Sequence, residues 1–140
     1  VLDERDRERR PAAYVAVRNH SFRHRSVEDW TQFIVHQMET IGKRILDDGP
    51  DNVCVIFDLK GFTLACMDYP IVKVLYNTMQ DHYPEGLGVC LVLNAPLIFA
   101  ACWAIIKGWL DENTASKIKF IKEDEELAKY IDLSIIPKDM

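Results

Sequence analysis

The sequence lacks the short motifs that mark the common nucleotide-binding and hydrolytic sites. Its one Gly-x-Gly pair, Gly86-Leu87-Gly88, comes before an apolar run, and no third glycine follows at the spacing of a dinucleotide-binding loop. A P-loop and a Gly-x-Ser-x-Gly elbow are missing as well. We find no convergent set of acid, base and nucleophile, so the sequence predicts a protein that is not an enzyme and needs no cofactor.

The sequence has fewer basic than acidic residues. The 140 residues include 17 Lys and Arg against 22 Asp and Glu, which gives a net charge of −5. Proteins that bind nucleic acids in general derive much of their affinity from a basic face, so nucleic acid is not an expected partner. Apolar residues make up 49% of the chain, which is the composition of a globular protein of one-domain size.

Cysteine pairs at metal-binding spacing are absent. The four cysteines stand at positions 54, 66, 90 and 102, and no Cys-x-x-Cys occurs. All but Cys66 lie in apolar stretches, where a free thiol behaves as a small hydrophobe. His20 and His24 have a spacing that metal ligands use, but a zinc site needs three or four convergent ligands. We therefore expect no metal, and free thiols in a reducing, cytoplasmic compartment.

The sequence also lacks a hydrophobic run of about 20 residues, the length that is needed to cross a bilayer. No signal-peptide pattern is found at its start. The longest apolar segment, 97–110, has 12 apolar residues among 14 and no polar face. A surface helix normally shows one apolar stripe. This helix is therefore expected to be buried, to face an apolar ligand or to touch a membrane, and its two tryptophans suit a membrane interface.

Apolar periodicity predicts strands that alternate with helices. The predicted strands cover residues 12–17, 53–57, 89–93, 118–121 and, in a short final piece, 131–136. The predicted helices cover residues 27–45, 69–82, 97–110 and 124–130, with a short one opening at 111–114. This alternation predicts an α/β fold with a mainly parallel twisted sheet of four to five strands and right-handed crossovers. Residues 1–10 alternate acid and arginine and are expected to form a solvated tail before a single domain at 11–140.

Two polar residues at element ends are candidate functional groups with plainer explanations. Asp58 follows an apolar strand and could act as a base, but aspartate at such a place more often caps a turn by accepting from the backbone two residues on. His82 precedes Tyr83-Pro84 at a predicted helix end, where a capping or packing role is expected.

Four blocks of sequence, at 57–62, 81–88, 93–96 and 109–118, carry a specific resemblance in their order and spacing. The chain resembles the CRAL-TRIO lipid-binding domain over residues 11–137, and is most similar to the fungal phosphatidylinositol transfer proteins. The resemblance implies a carrier that holds one phospholipid in an apolar cavity floored by the sheet. It also implies that a mobile helix, here 98–110, gates the cavity and contacts membranes transiently.

The resemblance further implies particular site residues. The headgroup would contact Glu85 of the Tyr-Pro-Glu block and Thr114 and Lys117 of the Thr-x-x-Lys block. A carboxylate accepts hydrogen bonds from inositol hydroxyls, while Thr and Lys can donate to hydroxyl or phosphate oxygens, so phosphatidylinositol is the implied ligand. The implied cavity and gate residues are Ile98, Phe99, Trp103, Ile106 and Trp109.

The sequence departs from the family pattern at several positions. Gly86 stands where the family usually has arginine, and Gly108 where it usually has proline. Members that also carry phosphatidylcholine have hydroxyl side chains at the positions of Val53 and Val55, so phosphatidylcholine binding is not expected here.

The family's N-terminal helical module and its C-terminal Gly-rich extension have no counterpart in the sequence. We therefore expect a fragment whose uncovered apolar helix favours a homodimer. Two other functions stay open: a lipid-dependent membrane-targeting module of a larger regulatory protein, and a carrier of a different hydrophobic ligand such as a retinoid or tocopherol.

Overall fold

The computed structural model describes residues 6, 10–17, 26–43, 52–82 and 87–135. Among these residues, four strands form one parallel sheet, as the alternating pattern predicted, and they lie in the order β1-β2-β3-β4. The strands are β1 (Ala12–Ala16), β2 (Val53–Asp58), β3 (Leu87–Leu93) and β4 (Ile118–Ile121). The helices are α1 (Val27–Lys43), α2 (Tyr69–His82), α3 (Phe99–Lys107), α4 (Glu112–Ser116) and α5 (Asp124–Ala128), and 3-10 turns lie at Leu64–Cys66 and Leu133–Ile135.

Three of the five described helices, α1, α2 and α4, begin at a side chain that caps the first turn. Ser26 Oγ accepts a hydrogen bond from the backbone N–H of Asp29 at 3.3 Å. Asp68 Oδ1 accepts from the N–H of Ile71 at 3.4 Å, and Asp111 Oδ2 accepts from that of Thr114 at 3.1 Å. Each cap satisfies an N–H group that the first turn of a helix leaves without a partner, and so fixes where the helix begins.

The sheet separates two apolar clusters, because successive side chains of a strand point to opposite faces. The first, which we call the closed face, comprises Ala12, Cys54, Ile56, Val89, Leu91, Leu93 and Ile121, packed with Leu127 and Ile131. The second, which we call the open face, comprises Val55, Phe57, Cys90, Val92, Ile118 and Phe120, with α2 and α3 on the same side. Right-handed crossovers in a sheet whose order runs in one direction place their helices on one face, as α2 and α3 are placed here.

The prediction of a solvated tail at 1–10 is wrong at its two described residues. Asp6 and Arg10 are both buried. Arg10 Nε donates to Asp6 Oδ2 at 2.7 Å, and the Arg10 backbone N–H donates to Asp6 Oδ1 at 2.8 Å. Arg10 also lies against β3, where a Cβ at Gly88 would stand 2.5 Å from its Nη1 atom. Burial is tolerated because each charge has a hydrogen-bonded partner of opposite sign.

The prediction of a final strand at 131–136 is also wrong for its described part. Leu133–Ile135 form a 3-10 turn instead. The backbone N–H and the hydroxyl of Ser134 both donate to Asp132 Oδ1, at 3.0 and 2.9 Å. This local bonding offers the backbone an alternative to a strand.

Three predicted elements have boundaries that shift by two or three residues. β3 begins at Leu87 rather than at 89, α5 ends at Ala128 rather than at 130, and α3 runs from Phe99 to Lys107 with turns on both sides. The predicted end of α1, at residue 45, lies outside the described residues.

Candidate functional site

α3 is apolar on all sides but packs on only one of them. Cys102 and Ile106 are buried, whereas Ile98 and Ile105 are exposed and Leu97 keeps 95% of its surface in contact with solvent. Complete burial, one of the three alternatives for this helix, is therefore wrong. α3 and the turn before it leave an apolar strip in solvent, which is unusual at a protein surface.

Aromatic contacts join α3 to the sheet. The ring of Phe99 meets that of Phe62 edge-on, with 5.5 Å between the ring centroids. The rings of Phe99 and Trp103 lie 6.4 and 5.2 Å from that of Phe120 in β4. Edge-to-face contacts of this kind are favourable beyond the area that they bury. α3 is therefore held over β4 by contacts between aromatic rings.

A second group of contacts holds the segment that follows α3. Trp109 meets Tyr69 of α2 at 5.6 Å between ring centroids. The Lys73 ammonium lies 4.6 Å from the centre of the Trp109 ring, within the range of a cation–π interaction. The hydrogen bond between Tyr69 and Cys102 raises the pKa of the Tyr69 hydroxyl. The two ends of α3 are thus attached to different parts of the fold.

The open face is covered incompletely. Val55, Phe57 and Ile118 are half-buried, and Phe120 and Val15 keep 37% and 40% of their surface exposed. These side chains lie on the open face between β1, at one edge of the sheet, and β4, over which α3 packs, and they form an apolar floor that is only partly screened from water. An apolar floor of this kind can take up a hydrophobic ligand, because the ligand buries the remaining surface.

Polar residues at the carboxyl edge of the sheet have structural partners. Asp58 accepts hydrogen bonds from the hydroxyl of Tyr14, from Asn94 Nδ2 at 2.9 Å and from the backbone N–H of Lys60 at 3.0 Å. The bond from Lys60 is the predicted turn cap, two residues on. The φ angle of Asn94 is 57° and that of Gly61 is 77°, so this edge holds two tight left-handed turns. Asp58 is therefore a structural cap that ties β1, β2 and β3 together.

A second polar group, which we call the α2–α4 cluster, comprises Tyr76, Gln80, Asp111 and Thr114. The Thr114 hydroxyl donates to Asp111 Oδ1 at 2.6 Å, and Gln80 Nε2 donates to Thr114 Oγ1 at 3.3 Å. The Tyr76 hydroxyl donates to Asp111 Oδ1 at 2.7 Å. These bonds from Thr114 and Tyr76 lower the pKa of Asp111 to about 2, and the bond to Asp111 raises the pKa of Tyr76.

The sequence-predicted headgroup residues are placed only in part. Thr114 is 8% exposed and lies inside the α2–α4 cluster. Lys117 is half-buried one turn later, where its carbonyl accepts from the N–H of Cys90 at 2.9 Å. Glu85 lies outside the described residues, as do Gly86 and the His20–His24 pair, and nothing is described of the His82 side chain.

Sequence reasoning missed Tyr76 and Gln80 as members of this site. They stand four residues apart on α2, so they share one face of that helix, and that spacing was the available signal. Their partners Asp111 and Thr114 follow 35 and 34 residues later. Pattern reading within one element therefore gave no reason to connect the two pairs.

Other kinds of site receive little support from the described part of the chain. Within it, no group of three or more His, Cys, Asp or Glu side chains could hold a metal ion. No helix among those described is long and apolar enough to cross a membrane. The four cysteines are free and buried, and burial raises the pKa of the Cys54 and Cys90 thiols to about 12.

Comparisons with known proteins find relatives whose sequences match most of this chain. A family model described as the CRAL/TRIO domain matches residues 1–140. A CRAL-TRIO domain-containing protein of Schizosaccharomyces pombe is 37% identical over 134 residues, which are 96% of this chain and 30% of that protein. The phosphatidylinositol transfer protein CSR1 of Eremothecium gossypii is 35% identical over 130 residues, which are 93% of this chain and 30% of that protein. The chain thus spans 30% of the length of either relative.

A solved structure shows the same fold. The crystal structure of Sfh5 matches with a TM-score of 0.67 and 19% identity, over 83% of this chain and 43% of that chain. At this level of identity the likeness concerns the arrangement of strands and helices alone.

Proposed function

Because this chain belongs to the CRAL/TRIO family, as its four sequence blocks predicted, we propose that it binds a phospholipid and transfers it between membranes without an enzymatic step. The observation that carries the proposal is the partly exposed apolar floor beside α3. Val15 and Phe120 lie on the edge strands β1 and β4, at the two ends of this floor, and both stay partly exposed. A lipid whose acyl chains lie against this floor would bury the apolar surface that the floor still exposes.

In this proposal α3 is the gate. The helix rests on the floor through Phe99 and Trp103, which are nonpolar contacts that an acyl chain can replace. Ile106 packs beneath it, Trp109 anchors the segment that follows it, and Ile98 belongs to the strip that faces solvent. That strip would enter the membrane surface during exchange, with the indole rings near the interface.

The proposed headgroup is inositol phosphate, held by Glu85, Thr114 and Lys117. A relative of this chain is named a phosphatidylinositol transfer protein. Val53 is buried and Val55 is half-buried, and neither can hydrogen-bond to a phosphate at that place. A buried phosphate oxygen without a donor is costly, so phosphatidylcholine would bind poorly.

The proposed setting is the cytoplasm, with transient contact to a membrane surface. The exposed strip at Leu97, Ile98 and Ile105 is the surface through which two copies of the chain would associate when no lipid or membrane covers it.

The test is lipid loading of the chain with Lys117→Ala, and with Lys119→Ala as the matched control. Lys119 is exposed on β4, two residues from Lys117, so its loss changes the charge equally. Native mass spectrometry after incubation with vesicles of phosphatidylcholine and phosphatidylinositol measures the bound lipid. We expect phosphatidylinositol in the parent chain and in the control, and about tenfold less in Lys117→Ala, since a charge-assisted hydrogen bond contributes about 1.5–3 kcal/mol. Equal loading of both variants would contradict the headgroup assignment, and a parent chain without lipid would contradict the function.

A further inference from the structure

One face of α2 holds the chain that follows α3. Four of its side chains are spaced by four, three and four residues, so they lie in one stripe along about three turns of the helix. This stripe, which we call the α2 stripe, consists of Tyr69, Lys73, Tyr76 and Gln80. Their partners follow in the same order along the chain: Trp109 for the first two, Asp111 for the third and Thr114 for the fourth. The segment 109–114 therefore runs beside α2 and is joined to it at every step of the stripe.

α3 itself is attached by contacts of another kind. Phe99 and Trp103 rest on the ring of Phe120, with 6.4 and 5.2 Å between the ring centroids. A hydrocarbon chain can replace such contacts, because hydrophobic attraction is non-directional. The α2 stripe instead places an ammonium 4.6 Å from the centre of the Trp109 ring and a hydroxyl 2.7 Å from Asp111 Oδ1. Hydrocarbon offers neither a cation nor a hydrogen-bond donor, so acyl chains that displace α3 leave the segment after it in place.

Asp111 fixes this segment from two sides. Its carboxylate accepts hydrogen bonds from the hydroxyl of Tyr76 at 2.7 Å and from the backbone N–H of Thr114 at 3.1 Å, and its own N–H donates to the Tyr76 hydroxyl at 3.3 Å. The bonds from Thr114 and Tyr76 lower the pKa of Asp111 to about 2, so the carboxylate stays ionised at neutral pH. The chain between α3 and this tie begins at Gly108. Because glycine restricts the backbone least, the chain bends most easily there.

We propose that the α2 stripe is the fixed anchor of the gate, and that α3 opens by lifting its Phe99 end from the sheet about a pivot at Gly108. The moving end is also the end that carries Leu97, the most exposed apolar side chain. The first three residues of the stripe are then positioning residues for transfer, since they touch the segment after the gate. The hydrogen bond between Tyr69 and Cys102 joins α3 itself to the stripe and breaks as the helix lifts. The inference rests on the proposed function, because it names which end of the proposed gate moves.

Two tryptophans report on the two ends of the gate, Trp103 on α3 and Trp109 in the anchored segment. The chain has three tryptophans, so Trp30→Phe leaves these two, and Trp30→Phe/Trp103→Phe leaves Trp109 alone. Each chain is mixed with vesicles of phosphatidylcholine and phosphatidylinositol whose acyl chains do or do not carry bromine, which quenches a nearby indole. We expect bromine to reduce the emission of the first chain and to leave that of the second nearly unchanged.

The α2 stripe is tested in the chain that retains only Trp109. Tyr76→Phe removes the hydroxyl that bonds to Asp111 and leaves the ring. It should raise the quenching of Trp109 by bromine about threefold, because the loss of one hydrogen bond shifts the anchored segment toward release. The matched control is Tyr14→Phe, which removes a bond of the same kind, from a hydroxyl to Asp58, and should leave the quenching unchanged. Circular dichroism confirms that both variants are folded.

A second variant does not depend on a bonded hydroxyl. Lys73→Met, at an exposed position, removes the cation from the Trp109 ring and should act in the same direction as Tyr76→Phe. An equal fractional loss of emission in the two reporter chains would overturn the inference, as would Tyr76→Phe and Lys73→Met chains that leave Trp109 unquenched, while the proposed function stands. Quenching of neither tryptophan would contradict the proposed function itself, whose gate must meet the acyl chains.

Discussion

The two faces of the sheet are made by the same strands, yet only one of them is sealed. Within the central strand β2, Cys54 and Ile56 are 0% exposed on the closed face, whereas Val55 and Phe57 are only half-buried on the open face. Neighbouring residues alternate between the faces, and both clusters consist of apolar side chains. Composition therefore does not explain the difference, which must lie in what covers each face.

The elements that cover the two faces differ in how they pack against the sheet. Leu127 of α5 and Ile131 belong to the same buried cluster as the strands of the closed face. On the other side, α1 packs against α2, and α3 reaches β4 through the exposed ring of Phe120. A face can thus have long helices beside it and still keep apolar surface free, which is what a removable cover requires.

The largest expected effect comes from truncating one isoleucine on each face. Ile56→Ala removes a fully buried side chain from the closed face and should lower the free energy of unfolding by about 4 kcal/mol. Ile118→Ala truncates a half-buried side chain of the open face and should cost about 1 kcal/mol. Urea unfolding of both variants measures the difference. Equal costs would mean that the two faces are equally packed.

The next effect separates transfer from stability. Trp103→Asp places a charge where the indole meets Phe120, so it should slow lipid transfer between vesicles about tenfold, a barrier change of about 1.4 kcal/mol. The matched control is Trp30→Asp on α1, whose ring meets Phe33 instead. Trp103→Asp should lower stability no more than the control does. An unfolded Trp103→Asp chain would show that α3 is core rather than cover.

A smaller effect concerns the cysteines. Cys102 is carried by α3, while Cys54 lies on the closed face, where burial raises its thiol pKa to about 12. Reaction with a thiol reagent near neutral pH, mapped by peptide mass spectrometry, should accelerate several-fold at Cys102 when vesicles are added, because the thiolate is the reactive form and access limits it. Cys54 should not change. Acceleration at both thiols would indicate unfolding of the whole chain.

The smallest effect concerns the turn that ends α3. Gly108 has an ordinary helical φ of −64°, and a Cβ there would approach the Ile105 carbonyl no closer than 3.4 Å. Gly108→Ala should therefore raise the free energy of unfolding by about 0.5 kcal/mol and stiffen the cover of the open face. Gly61→Ala is the contrasting variant. Alanine disfavours a φ of 77°, so this substitution should lower the free energy of unfolding. Thermal unfolding measures both, and a destabilised Gly108→Ala would contradict the expected backbone fit.

The predictable part of the fold is the part set by local pattern. β4 was predicted with the observed ends, Ile118–Ile121, and β2 to within one residue. Their apolar runs are short and bounded by polar residues, which suits strands of a covered parallel sheet. The cap at Asp111 was also readable, because capping depends on residues three apart.

The unpredicted part depends on partners far along the chain. Arg10 can be buried only because Gly88 in β3 has no side chain, and no local sequence pattern reveals that contact. In the candidate site, the resemblance singled out Thr114 but not Gln80, because the two are joined only in three dimensions.

The agreement between strand order and chain order has a consequence for synthesis. As the chain leaves the ribosome, each new strand can add to an edge that already exists, so the sheet can grow from β1 to β4 without waiting for a distant segment. The closed face is different, because Leu127 and Ile131 are made after all four of the described strands. A nascent chain that stops after Ile121 therefore carries the four described strands with an unsealed closed face, which Leu127 and Ile131 cover once they are made.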